Sequence, residues 1–392
     1  MPDSSRRNFL IAGLAVPAAA SAGRSSPHDQ DGQKHDAGPH APLATPEFHY
    51  RTLGKTGLKV TRVGFGCMIT SDASVIERAA DIGITYFDTA RVYQSGNNER
   101  MVGAALKGKR QNITLSSKSG AKTKEAALAD LDTSLRELGT DHLDIWYLHA
   151  KTKPADVTDD LIDAQQTAKK AGKIRFAGVS THSGQTDLIP VLTANPHIDV
   201  ILTAYNFSMG QTLDPVIAAA HAAGKGIVAM KVMAGGFRVA KPGTKMFDTF
   251  KKDGALLAAL RWVLKSPDID TTVPSMTDMD QLDENLKAVT GGFTKSDEGL
   301  LAMQLQRIAP LYCRMCGQCD GSCAKGLPVA EILRYLTYAD GYGQFSLGRE
   351  RFLELPAEVA QVRCDACSSC TVNCPHGVRV SERLGRAQEL FA

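Results

Sequence analysis

The chain has 392 residues, 43% of them hydrophobic and 22% charged, with a formal net charge of +3. That is enough apolar material for one large core with accessories, and too much for a disordered chain. The small charge, with no dense Lys/Arg run, excludes a nucleic-acid footprint.

Ser4-Ser5-Arg6-Arg7-Asn8-Phe9-Leu10 leads into an apolar run over 11–20 and the small residues Ala20-Ser21-Ala22. Basic, then apolar, then A-x-A is the layout of a secretory signal, here residues 1–22, and the paired arginines narrow it to the twin-arginine route. A periplasmic or other extracytoplasmic destination follows. The apolar run falls short of the roughly 20 residues a bilayer span needs, so no stable membrane anchor is expected. Residues 23–48 are Ser, His, Asp, Gln, Gly and Pro with few apolar side chains, a composition that reads as a flexible linker.

Periodic sequence starts near Tyr50. Gly54 and Gly57, with the alternating Leu58 and Val60, suit a small hairpin. Eight strand candidates follow, at 63–67, 85–88, 113–118, 143–149, 174–181, 200–206, 227–233 and 271–276. Between them lie amphipathic segments such as 124–138, where Ala127, Leu128, Leu131, Leu135 and Leu138 recur at helical spacing. Repeated β/α units predict an α/β fold, a (β/α)8 TIM barrel over 49–292. An open doubly wound sheet is the alternative, but the first strand carries only Gly64 and Gly66 and no G-x-G-x-x-G turn.

Chemistry in such a barrel sits on the loops at the strands' carboxyl ends. Three successive strand ends carry reactive groups: Asp88 and Tyr93 in Y-F-D-T-A-R-V-Y, then Lys118, then His149. An acid, a phenol, an amine and an imidazole together suit carbonyl reduction or its reverse. A phenol can protonate a developing alkoxide, the more easily if an ammonium lowers its pKa of about 10. Lys118 is placed to do this, Asp88 to keep Lys118 charged, and His149 to orient the substrate oxygen. Taken singly, each has a bland reading: a turn former, a half-buried aromatic, a snorkelling strand end, a satisfied core imidazole. The set is harder to dismiss.

Residues from about Tyr50 to Ala288 resemble an aldo-keto reductase, through the opening Y-R-T-L-G-K-T-G-L-K-V-T-R-V-G-F-G and the segment D-T-A-R-V-Y-Q-S-G-N-N-E. The resemblance implies Asp88, Tyr93, Lys118 and His149 as the catalytic set. It implies that Ser180 and Thr181 hold a nicotinamide carboxamide and that the Tyr205 ring stacks on nicotinamide. Lys231, Met233 and Gly235 then form the pyrophosphate loop, and Glu284 and Asn285 lie near the adenine. NADP(H) or NAD(H) is the implied cofactor, with departures: Thr181 replaces a common asparagine, Leu202 a glutamine, and Gln281 the arginine for a 2′-phosphate, beside Asp278 and Asp280. Outside the cytoplasm no free nicotinamide pool is expected.

The tail, residues 300–392, offers another electron source. Cys313, Cys316, Cys319 and Cys323, then Cys364, Cys367, Cys370 and Cys374 before Pro375, are two copies of the C-x2-C-x2-C-x3-C ferredoxin run. The spacing predicts two 4Fe-4S clusters, with the fourth cysteine of each run crossing over: Cys313, Cys316, Cys319 and Cys374 on one, Cys364, Cys367, Cys370 and Cys323 on the other. Ala324 stands where a proline usually closes the first run. Residues 328–338 place Val329, Ile332, Leu333 and Leu336 on one helical face, which points to a small, mainly α-helical iron-sulfur domain. The ninth cysteine, Cys67, reads as a pocket wall.

Two functions fit. The first is an exported oxidoreductase acting on a small carbonyl or alcohol substrate and passing electrons to a one-electron redox partner. Hydride moves two electrons and each cluster one, so a flavin or another cofactor would have to split the pair; no flavin motif is present. The second is an electron-transfer module in which the barrel is a scaffold for the clusters.

Overall fold

The computed structural model describes residues 48–235, 254–364 and 367–392. The expected signal and all but the last residue of the linker, 1–47, lie outside the described residues. A hairpin comes first, β1 (Tyr50–Thr52) pairing antiparallel with β2 (Lys59–Thr61). Its Leu53, Leu58 and Val60 plug the bottom of a ring of strands.

That ring is an eight-stranded parallel sheet: β3 (Phe65–Gly66), β4 (Tyr86–Asp88), β5 (Thr114–Ser119), β6 (Leu143–Leu148), β7 (Ile174–Thr181), β8 (Val200–Ala204), β9 (Gly226–Met230) and β10 (Thr271–Thr272). Parallel bridges from Val63 to Thr272 and from Gly66 to Ser275 join its two ends, so the sheet closes as a barrel. The first and last strands are shorter than the sequence predicts. Pro274 has no N–H to donate, and pairing there falls to its carbonyl, which accepts from the Gly66 N–H at 2.9 Å.

Alternation along the strands sorts side chains into two cores. Tyr86, Ile145, Tyr147, Val200, Leu202, Val228, Met230 and Val273 fill the barrel interior, where the Tyr86 and Tyr147 hydroxyls meet at 2.7 Å. Outward-facing Phe87, Trp146, Val179, Ile201 and Ile227 pack under the helices. Those helices are α1 (Ala73–Asp81), α2 (Asn97–Ala105), α3 (Lys124–Leu138), α4 (Asp159–Lys170), α5 (Gln185–Ala194), α6 (Gly210–Ala222), α7 (Ala255–Leu264) and α8 (Met279–Thr290). Helix α3 forms over the expected residues: the Thr123 side chain accepts from the Ala126 N–H at its start, and Gly139, at φ 64°, ends it in the left-handed region.

Beyond the barrel come α9 (Lys295–Ile308), α10 (Val329–Asp340), α11 (Phe345–Leu353), the single-turn α12 (Ala357–Ala360) and α13 (Val380–Phe391). Val329, Ile332, Leu333 and Leu336 of α10 are buried with Phe352, Leu384 and Phe391 in a core of their own. The tail is therefore helical, as its spacing predicts. Met68, in the loop after β3, packs against this second core. Among the described residues, no helix is long and apolar enough to cross a membrane.

Candidate active site

The inward register that fills the barrel also delivers the reactive groups. Tyr86 points in, and so does Asp88 two residues on. Ile145 and Tyr147 lead in the same way to His149, and Phe176, Gly178 and Ser180 lead to His182. At the mouth, Lys118 Nζ donates to Asp88 Oδ2 at 2.6 Å and to the Thr89 carbonyl at 2.6 Å. Ser116 Oγ holds the other carboxylate oxygen at 2.7 Å. Lys118 is 1% exposed and Asp88 4%, so the pair is fully inside.

Lys118 Nζ lies 4.9 Å from the centre of the Tyr93 ring, and Tyr93 meets His149 edge-on with centroids 5.8 Å apart. The turn that presents Tyr93 runs through Gln94 and Ser95 at φ 50° and 53°, and Gln94 Nε2 donates to the Thr70 carbonyl at 2.7 Å. The structure thus brings Asp88, Tyr93, Lys118 and His149 together. Lys118 Nζ lies over the Tyr93 ring while it bonds Asp88 and the Thr89 carbonyl, and burial, then Asp88 and Tyr338, hold the Tyr93 phenol well above its ordinary value. Tyr93 is a firmly protonated donor. Burial likewise draws the Lys118 ammonium down against the opposing pull of Asp88.

His149 is held well below the ordinary imidazole range by burial, then by Lys118, Arg334, Arg351 and Lys231. Its ring is neutral, as a hydrogen-bonding group at a substrate oxygen should be. Cys67 is fully buried, and burial, then Asp88, raises its thiol strongly. It is a wall, as the sequence suggests.

The positions expected to hold a nucleotide are largely committed to the chain itself. Ser180 Oγ accepts from the Ala150 N–H at 2.8 Å, and Thr181 Oγ1 donates to the Ser183 carbonyl at 2.8 Å. Tyr205 needs correcting: it continues the outward register of Ile201 and Thr203. Its ring packs on Trp262 with centroids 5.1 Å apart, and its hydroxyl donates to Asp214 at 2.6 Å. It belongs to the helical shell and not to the mouth.

Lys231 adopts φ 58° and its carbonyl accepts from Asn206 Nδ2 at 3.1 Å. Gly235 is covered by the tail: a side chain there would come 2.8 Å from Tyr312, and one at Gly341 would come 2.0 Å from the Gly235 carbonyl. Met233 packs among Trp262 and Phe207. On α8, Asn285 is buried and Glu284 half-buried, while Gln281 Nε2 bonds Thr277 Oγ1 at 2.8 Å and Asp278 Oδ2 at 2.6 Å. Among these positions Ser180 and Thr181 are engaged within the chain, and Gln281 with Asp278 offers no cation to a 2′-phosphate; residues 236–253 lie outside the described residues.

The tail cysteines gather in two groups. Burial and the adjacent Cys319, Cys316 and Cys374 thiols push Cys313 up to about 12, which makes those four neighbours. Cys323, Cys364, Cys367 and Cys370 line one cavity of about 420 Å³. Among the described residues, no three His, Cys, Asp or Glu side chains close on a point the size of a single metal ion. An iron-sulfur cube is wider than one ion, and crowded thiols, those of Cys313 and Cys319 raised by burial, suit a cationic core that would deprotonate them.

The sequence reading missed the tail's share of the mouth. Lys231 Nζ lies 5.1 and 5.0 Å from the ring centres of Tyr338 and Tyr342. Arg334 stacks on Tyr335 at 5.2 Å. Arg334 and Tyr338 recur at helical spacing on α10, opposite its apolar face, and that spacing is the signal that could have found them. His182 was legible too, two residues past Ser180 on the inward register.

Residues 70–258 match the Aldo/keto reductase family. The chain is 32% identical over 148 residues to the uncharacterized oxidoreductase YqkF of Bacillus subtilis, spanning 33% of this chain and 48%, about half, of that protein. It is 27% identical over 287 residues to L-galactose dehydrogenase of Arabidopsis thaliana, covering 62% of this chain and 89% of that one. The structure is similar to the holo form of aldo-keto reductase AKR11C1 from Bacillus halodurans, with TM-score 0.57 and 26% identity, over 66% of this chain and 96% of that chain.

One pH dependence follows. His149 and His182 sit well below the ordinary 6.5 when folded, so below pH 6.5 the unfolded chain binds more protons than the folded one. Stability is then full above that value and is lost as pH falls beneath it. Urea unfolding across pH 5 to 8 should show this loss, and His149→Gln should make the acid-side slope shallower; an unchanged slope would mean the imidazole is not held neutral. The match to the Aldo/keto reductase family, residues 70–258, takes in most of the eight-stranded barrel.

Proposed function

We propose that the chain is an exported iron-sulfur oxidoreductase that interconverts a carbonyl and an alcohol in the barrel mouth. The observation that carries this reading is the meeting of Tyr93, His149 and the Asp88–Lys118 pair at one point, with Lys118 Nζ 4.9 Å from the Tyr93 ring. Tyr93, neutral and half-buried beside neutral His149, gives its proton to the substrate oxygen as charge develops there. His149 hydrogen-bonds the same oxygen. Asp88 and Lys118 fix the floor, since a buried pair that loses one partner costs about 3–5 kcal/mol.

Two 4Fe-4S clusters would be held by Cys313, Cys316, Cys319 and Cys374 and by Cys364, Cys367, Cys370 and Cys323, supported by the matching runs and the two thiol groups. Such clusters carry one electron each and would connect the barrel to an external redox partner. A nicotinamide is the natural suggestion from the relative whose name reads aldo-keto reductase yakc [NADP(+)] in Schizosaccharomyces pombe, 32% identical over 151 residues and 44% of its length. The engaged Ser180 and Thr181 hydroxyls and the carboxylates around Gln281 argue against it, and the same facts favour the second reading, a barrel kept as a scaffold for electron transfer. Export rests on Arg6-Arg7 and the apolar run behind them.

Tyr93→Phe should lower carbonyl or alcohol turnover by about 10²-fold or more while leaving visible cluster absorption unchanged; undiminished activity would remove Tyr93 from the mechanism. Replacing Cys316 or Cys367 with Ser should lower iron content and the thermal midpoint together, because metal binding contributes folding free energy. Full iron with unchanged stability would end the cluster assignment. Arg6→Lys with Arg7→Lys should leave the precursor in the cytoplasm, and continued export would refute the signal.

A further inference from the structure

The charges around the mouth do not balance. Asp88 is answered by Lys118 at 2.6 Å, and Glu354 by Arg351 at 2.7 Å. Glu331 stands 3.7 Å from Arg334, with its own side chain 47% exposed to solvent. Lys231 makes no ion pair among the described residues; its Nζ rests on the aromatic faces of Tyr338 and Tyr342. Burial depresses its ammonium, with Tyr338 opposing and Arg334 and Lys118 adding to the depression. A half-buried cation without a carboxylate, beside reactive groups, is a candidate for a functional site.

A second observation points the same way. His182 is 7% exposed, and its Nδ1 is buried with no hydrogen-bond partner. Beyond burial, the groups acting on it are Arg334, Lys231, His149 and Lys118, so it lies within electrostatic reach of the same mouth, two residues past Ser180 on the inward register. Buried polar atoms are nearly always satisfied, and an orphan at a mouth waits for a group from outside the chain. Arg334 contributes a planar fork suited to an oxyanion.

We propose that the mouth takes an anionic substrate, a small carbonyl or alcohol compound bearing a carboxylate or phosphate. Lys231 and Arg334 hold the oxyanion, His182 Nδ1 hydrogen-bonds it, and the reacting carbon is presented to Tyr93 and His149. The tail is thus part of the substrate site, since Arg334 and the rings that seat Lys231 come from α10 and the turn after it. The inference rests on the reading of this mouth as the reacting site, and adds the class of molecule it accepts.

Calorimetric titration of the full-length, cluster-loaded protein tests it without turnover, using 2-oxobutanoate, dihydroxyacetone phosphate and uncharged butanone. One of the two anions should bind at least about tenfold more tightly than butanone. Its affinity should fall at least about tenfold in Lys231→Met and in Arg334→Met, recover in Lys231→Arg, and weaken with added salt. Arg334→Gln gives the same comparison if Arg334→Met fails to fold. The proposal is overturned if neither anion binds more tightly than butanone, or if both substitutions leave binding unchanged. It is also overturned if Lys231→Met abolishes NADP+ binding while sparing the anion, which would assign the cation to a nucleotide. Turnover in Tyr93→Phe tests the catalytic reading and anion affinity in Lys231→Met tests this one, so the failure of one is told apart from the failure of the other.

Discussion

The Lys231 ammonium seated on the Tyr338 and Tyr342 rings, 5.1 and 5.0 Å from their centres, ties the barrel to the helical tail at the point where the chemistry converges. A desolvated cation over an aromatic face contributes about 2 kcal/mol, and here it sits among further contacts. Asn206 Nδ2 bridges the Lys231 carbonyl and the Tyr312 hydroxyl at 3.1 and 3.2 Å. Gly235 and Gly341 approach so closely that a side chain on either would collide with the opposite element. The tail is therefore fitted to the loop after β9 by backbone shape as well as by charge. A barrel that ended at α8 would lack Arg334, Tyr338, Tyr342 and Arg351 at its mouth.

Below that junction the site follows from a period of two. Closure of the barrel fixes which side chains point inward, and the same parity that packs Tyr86, Tyr147 and Phe176 carries Asp88, His149 and His182 to the rim. Burial then sets their protonation. Tyr93 keeps its proton, His149 and His182 stay neutral, and the charge that remains is cationic. Neutral donors under a positive roof suit a reaction in which negative charge develops on oxygen, and they suit a substrate that brings negative charge with it.

Much of this was legible in the chain, and the misses have physical reasons. The barrel, α3 and the apolar face of α10 follow from hydrophobic period, and the reactive quartet from residues standing at successive strand ends. Tyr205 was misplaced because its position near the end of β8 suggested the mouth, whereas its odd-numbered place in the strand's alternation turns it outward to Trp262. Thr181 looked available for a ligand, but its hydroxyl bonds the Ser183 carbonyl, a local closure no pattern reveals. The polar face of α10 reads as solvated from sequence alone, because helical spacing tells which residues share a face and not what covers it. Here Lys231, from the loop after β9, lies over it.

Tyr338 reports the junction directly. Although burial opposes it, Lys231, then Arg334 and Arg351, pull its phenol below the ordinary value of 10, and the share of Lys231 is present only if α10 lies across the mouth. Titrating ring-labelled tyrosine by carbon NMR in the full-length protein measures this. The account predicts one phenol titrating below 10, lost in Tyr338→Phe and moved upward in Lys231→Met. A Tyr338 that titrates at or above 10 and ignores Lys231→Met would contradict a mouth shared by barrel and tail.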